Sequence, residues 1–169
     1  GIIYEDKFKK IQPVLKAFAK ESYRITKNNG HTITFCGKDR YIFQFMYDIM
    51  TAAGWIVLPY PMIWVKMSSG QNNQPEKWPS SAYEAILFAR KPLSTLVLQG
   101  KPDWLQCDIV SSGNKIHPAE KPVPLLKELN QGHVSINNPA FDFFIEYTPL
   151  MNSITTLYNR KDFISSGGF

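Results

Sequence analysis

Cysteine is scarce. The 169 residues hold two, Cys36 and Cys107, and neither has a partner at the close spacing of a zinc or redox pair. That excludes a disulfide framework and implies reduced, buried thiols in a cytoplasmic-type setting. The three histidines, His31, His117 and His133, are far apart and form no metal-ligand pair, so no metal is assigned. No apolar run is long enough to span a membrane, and no signal-peptide pattern opens the chain. No segment repeats, and no two prolines are adjacent.

What is present describes one folded domain, residues 1–169. Hydrophobic residues make up 44% and aromatics 14%, which excludes a disordered class and allows a sizeable core. The formal charge is +5 and the pI about 9.2, a modest basic bias compatible with nucleic acid. The chain opens on Gly1 rather than Met. This is expected of a processed product, a fragment, or the ordered part of something longer.

Strand and helix patterns alternate. Phe8, Ile11, Leu15, Phe18 and Ile25 recur at helical intervals with lysines between them, predicting an amphipathic helix that starts or kinks at Pro13. Its lysines read as a solvated face, with phosphate contact as the lesser alternative. Asn28-Asn29-Gly30 stops it, and Thr32–Cys36 reads as a strand. Asp39 can cap a helix with Ile42, Phe45, Met46, Ile49 and Ala53 on one face, closed by Gly54. Pro59 and Pro61 bend the approach to a buried strand at Met62–Val65. A loop over Ser68–Lys77 is rich in Gln, Asn and Gly. Further strands are expected at Tyr83–Ala89, Thr95–Leu98 and Trp104–Val110, and a helix at Leu150–Tyr158. A solvated loop is the commoner reading; as an alternative its Gln71, Asn72, Asn73 and Gln74 suit base edges or phosphate, and the flanking Lys66 and Lys77 suit phosphate.

The densest local signal is Lys115–Leu129. Pro118 and Pro122 push His117 and Lys121 out of the helical region. Pro124 is tolerated in a first helical turn, and Leu125, Leu126 and Leu129 then give one apolar face. A stiff extended segment delivers a short helix at a fixed angle.

His117-Pro118-Ala119-Glu120-Lys121-Pro122 resembles the His-Pro-x-Glu-Lys-Pro segment of DNA amino-methyltransferases. These enzymes transfer a methyl group from S-adenosylmethionine to the exocyclic amine of adenine or cytosine. Further segments resemble the permuted members in the same order. Asn29-Gly30-His31 leads into the Thr32–Cys36 strand, and Cys36-Gly37-Lys38-Asp39-Arg40 resembles the next turn. Ile63-Trp64-Val65-Lys66 resembles an Ile-Trp-x-Lys strand, and Tyr83–Lys91 a His-Glu-x-Ile-Leu strand ending in Arg-Lys. Ordered concordance from Gly30 to Leu129 is more specific than any single match.

The resemblance implies a three-layer α/β fold, Rossmann-like, with a mixed, mostly parallel sheet that is complete or truncated. It implies S-adenosylmethionine as cofactor, with His117, Glu120, Lys121, Asp142 and Phe144 at its site, and DNA as partner. The chain departs from the pattern in three places. The family's base-binding motif, an acidic or amide residue before Pro-Pro and an aromatic, has no counterpart here. Gly1-Ile2 fits the position just after it, or Tyr4-Glu5-Asp6 is its remnant. Glu146-Tyr147-Thr148 stands where the family has Gly-Ser-Gly, and no acid follows Asn159–Ile164 to hold a ribose. A pseudoenzyme or a fragment is therefore expected. The alternatives are an active enzyme whose base-binding motif lies upstream, or a non-catalytic subunit that binds nucleic acid or assembles with other proteins, as in a phage particle. The last would place it in a host cytoplasm or a virion.

Overall fold

The computed structural model describes residues 8–37, 39–67, 72, 74–96, 99–111, 113 and 120–129, with backbone strands at 144–145 and 156–157. The first helix, α1, runs Phe8–Ile25 and buries Leu15, Ala19 and Ser22. It starts five residues ahead of Pro13 rather than at it. Pro13 sits on the exposed side, where water can take up the carbonyl left without an N–H partner. After the helix, the Thr26 hydroxyl donates to Ser22 O at 2.7 Å, and the Gly30 N–H donates to Lys27 O at 2.9 Å. A Cβ at Gly30 would run into the Thr26 methyl, so this turn requires glycine.

Strand β1, His31–Gly37, is buried on both faces. Asp39 caps α2, Arg40–Ala52, accepting from the Tyr41 and Ile42 N–H groups at 2.7 and 3.4 Å. Gly54 then turns the chain at φ 103°. Two short strands follow, β2 (Ile56–Val57) and β3 (Met62–Val65), and both pair with the same side of β4 (Tyr83–Arg90) in antiparallel register. Pro59-Tyr60-Pro61 loops out between them because proline has no N–H for the ladder. β5, Trp104–Gln106, lies parallel to β3, and α3, Val123–Glu128, follows. β6 (Phe144–Ile145) and β7 (Thr156–Leu157) pair with each other, and Thr156 pairs with Thr34 of β1.

Among the described residues the strands form one sheet in the order β5-β3-β4-β1-β7-β6, with β2 also on β4. The three strands expected to share a sheet, β1, β3 and β4, are neighbours in it. The sheet is mixed, but the expectation of mostly parallel pairing is corrected. The β3–β5 ladder is parallel, and the other described ladders are antiparallel. β4 runs against β1, β2 and β3, and β7 runs against β1 and β6. Thr95 and Leu96 are not in a strand, and the one expected over Trp104–Val110 stops at Gln106. Within the helix expected over Leu150–Tyr158, Thr156 and Leu157 are instead strand β7, in keeping with the β-branched run Ile154-Thr155-Thr156 in the sequence, and the rest of that span lies outside the described residues.

Alternation along the strands separates two cores. On one face Leu15, Ala19, Met46, Met50 and Trp55 pack on Cys36, Val57, Leu87 and Ala89 beneath α1 and α2. On the other Ile33, Phe35, Met62, Trp64 and Ile86 pack with Leu105, Leu125, Leu126 and Leu129 beneath α3. Helices therefore cover both faces of the sheet.

Candidate functional site

The second core ends in charge. Glu84 stands opposite Trp64 in the β3–β4 register, on the same face as Ile86. Lys66 follows β3 two residues beyond Trp64, so it emerges on that face as well. Pro122 holds φ −63° and ψ 134°, extended, and places Lys121 at the entry to α3. Pro124 occupies the first helical turn, where its missing N–H costs little, as the sequence predicts.

These three segments converge. One carboxylate oxygen of Glu84 accepts from Lys121 Nζ at 2.7 Å and the other from Lys66 Nζ at 2.7 Å. The side chains are 7% (Lys121), 20% (Lys66) and 18% (Glu84) exposed, so the cluster is largely withdrawn from water. Aromatic rings wall it. Lys121 Nζ lies 5.0 Å from the Phe35 ring centre and 5.5 Å from that of Trp64, and Lys66 Nζ lies 5.0 Å from Trp64. Phe35 and Trp64 meet edge to face at 6.2 Å. The Trp64 indole N–H donates to Cys107 O at 2.8 Å, tying the end of β5 to the same group.

Burial alone pushes the Glu84 carboxyl up. The Lys121 ammonium, and after it Lys66, outweigh that and hold it below the usual glutamate value. The carboxylate is ionised at neutral pH, and two cations share it. Such a cluster ties three segments together, with each carboxylate oxygen engaged by one ammonium group.

The sequence-derived site residues divide accordingly. Lys121 is in place, but its ammonium is turned inward onto Glu84. Glu120 is half-buried beside it. Phe144 lies in β6. His117 and Asp142 lie outside the described residues, as does the Glu146–Thr148 segment. Lys66 is committed to Glu84 rather than exposed for phosphate. The Asn72 side chain closes its own loop, donating to Trp78 O and accepting from the Gln74 N–H at 2.9 Å. Lys77 is exposed at the turn after it. Gln71 and Asn73 lie outside the described residues. Glu84 belongs to the Tyr83–Lys91 motif but is not among the sequence-derived site residues. The available signal was an acid inside a strand whose next three residues, Ala85, Ile86 and Leu87, are apolar and buried.

An open cavity of about 360 Å³ lies between β5 and α3, lined by Trp104, Leu105, Cys107, Pro124 and Leu125. Lys101 and Glu128 pair at its rim at 3.5 Å. None of the sequence-derived site residues lines it.

The described residues form a mixed sheet between two helical layers, a Rossmann-like α/β fold that resembles that of a methyltransferase. Among solved structures, the crystal structure of the M1.HpyAVI–SAM complex is similar, with a TM-score of 0.56 at 18% identity. The match covers 72% of this chain and 60% of that one, so the chain spans under two thirds of that protein's length. No protein-family model matches the sequence, and no curated protein matches it. Among the described residues no helix is long and apolar enough to cross a membrane.

Tested against S-adenosylmethionine, the described residues do not make a cradle. Lys121, the one cation among the residues assigned to the cofactor, is already paired with Glu84 and 7% exposed. No chemical step is derived through the cofactor.

Proposed function

We propose that this chain is a DNA amino-methyltransferase-like domain whose own methyl-transfer chemistry is impaired. One observation carries the reading. Lys66, Glu84 and Lys121 come from three separate segments that resemble the methyltransferase family in order, and they meet in one buried ion cluster. Local turn or strand requirements would not bring these three together. The joint ties Lys121, at the end of the segment that resembles the family motif, to the sheet.

Where the family's glycines let backbone approach the cofactor, Glu146-Tyr147-Thr148 would fill the space with side chains. Glu146 would also repel the cofactor's carboxylate. Without a base-binding motif, nothing in the chain orients the target amine, and alignment of reacting groups supplies much of such a rate.

The test has two arms. Radiolabelled methyl transfer to duplex DNA by the unmodified chain is expected to match a heat-killed control, and transfer above it sinks the impairment. Calorimetry is expected to detect S-adenosylmethionine binding in the Glu146→Gly, Tyr147→Ser, Thr148→Gly variant at concentrations where the unmodified chain shows none. Equal absence of binding in both chains sinks the methyltransferase-like reading.

A further inference from the structure

Six basic residues, Lys9, Lys10, Lys16, Lys20, Arg24 and Lys27, lie on α1 or just beyond it, against one acid, Glu21. That acid is spent on Arg24 at 2.6 Å. Lys9, Lys16 and Lys20 are all exposed. At 100° per residue they fall within an arc of about 40°, on a stripe about 16 Å long. Among the described residues none of these three makes an ion pair. Leu15, Ala19 and Ser22, about 80–140° round the helix from the centre of the stripe, hold another side against the core, so the stripe is fixed in direction.

Its placement in the fold is also defined. Lys91 Nζ donates to Thr26 O, and the Lys91 N–H donates to Gly30 O at 3.0 Å. The C-terminal end of α1 therefore lies where β4 finishes. At its other end Phe8 packs edge to face on Phe45 of α2, 5.1 Å between ring centres, near where β1 ends. Eighteen helical residues span about 27 Å and eight strand residues about 26 Å, so α1 runs the height of the sheet. Lys9 thus lies toward the end where β4 begins and where the loop carrying Lys77 joins it.

We infer that the α1 stripe is a docking track for the phosphate backbone of duplex DNA, separate from the Lys66–Glu84–Lys121 cluster. The inference takes from the proposed function only the choice of DNA as the polyanion. The chemistry of the face excludes the other common partners of a basic helix. Val14, 40% exposed, is the one large apolar side chain that α1 leaves in solvent, so there is no wedge to enter a lipid surface. A protein interface would place apolar or aromatic groups at its centre and deplete lysine. Lysines at regular intervals with no apolar centre suit a backbone contacted without sequence readout.

The test is fluorescence anisotropy of a labelled duplex titrated with the chain over a series of salt concentrations. Each phosphate contact contributes about 0.9 to the slope of log K against log salt. The Lys9→Gln, Lys16→Gln, Lys20→Gln variant is expected to lower the slope by about two to three, while Lys127→Gln, on exposed α3 across the sheet, leaves it unchanged. An unchanged slope in the triple variant overturns the inference. So does failure of the unmodified chain to bind the duplex at low salt, or loss of binding to phosphatidylserine vesicles alone. Cofactor calorimetry is independent of these lysines, so failure of the methyltransferase-like reading leaves this measurement standing.

Discussion

Lys121 Nζ lies 2.7 Å from Glu84 Oε2, although 37 residues separate the two in the chain. The contact joins the entry of α3 to the second residue of β4. It also sets what the segment before α3 can do, because the lysine that could have met an anionic ligand is already paired. Lys66 holds the other oxygen of the same carboxylate.

Glu84→Gln is expected to destabilise the fold by about 3 kcal/mol, since it leaves two largely buried ammonium groups without their anion. Chemical denaturation of the variant checks this. Lys66→Ala is expected to cost less, because Glu84 keeps Lys121. A Glu84→Gln midpoint equal to that of the unmodified chain would show that the cluster does not hold the segment.

The same carboxylate predicts an acid limb. Burial raises the Glu84 pKa, and Lys121 and Lys66 more than reverse this, so its folded value lies below the ordinary 4.5. The unfolded chain then binds a proton that the folded chain refuses. The contribution is full above 4.5 and is lost as pH falls through the lowered folded value. Urea midpoints measured from pH 6 down to about 3 should fall more steeply for the unmodified chain than for Glu84→Gln.

His31 titrates in a higher window. It pairs with Arg90 across β1–β4, its ring lies 5.4 Å from that of Phe88, and its Nε2 is buried without a hydrogen-bond partner among the described residues. Burial first, and then the Arg90 charge, hold its pKa below 6.5. Stability is therefore complete above 6.5 and declines as pH falls from there toward the folded value, because only the unfolded state takes up the proton. His31→Phe should flatten the stability profile between pH 7 and 5.5. An identical slope in the variant would reject the assignment.

The two cysteines should react in sequence. Burial pushes the Cys36 thiol up to about 12, a backbone contact with Leu87 offsetting this only in part, so Cys36 carries almost no thiolate at neutral pH. Cys107 is partly exposed. A thiol reagent at pH 8 should label one equivalent promptly, lost in Cys107→Ser, and reach the second only with denaturant. Prompt labelling of Cys36 would mean that the α1–α2 core is open.

Much of the architecture was legible locally. Asp39 as a cap, Gly54 as a stop, Pro124 in a first turn and the strand cores at Thr32–Cys36 and Met62–Val65 all depend on residues within a few positions of one another. Side-chain periodicity and backbone restriction act over that range. The helix does not start at Pro13, because an exposed proline can sit inside a helix that tertiary packing supports on its other side.

Strand direction was decided elsewhere. The pattern Tyr83–Arg90 reads the same whether β4 runs with its neighbours or against them, and only the path of the chain before it makes both ladders antiparallel. The site follows the same division. The sequence by itself determined that Lys66, Glu84 and Lys121 sit in recognisable segments with extended or capped backbones. Their meeting on one carboxylate, which turns candidate ligand contacts into internal ion pairs, was decided by the tertiary structure. An ion pair across 37 residues depends on register and packing that no local window contains.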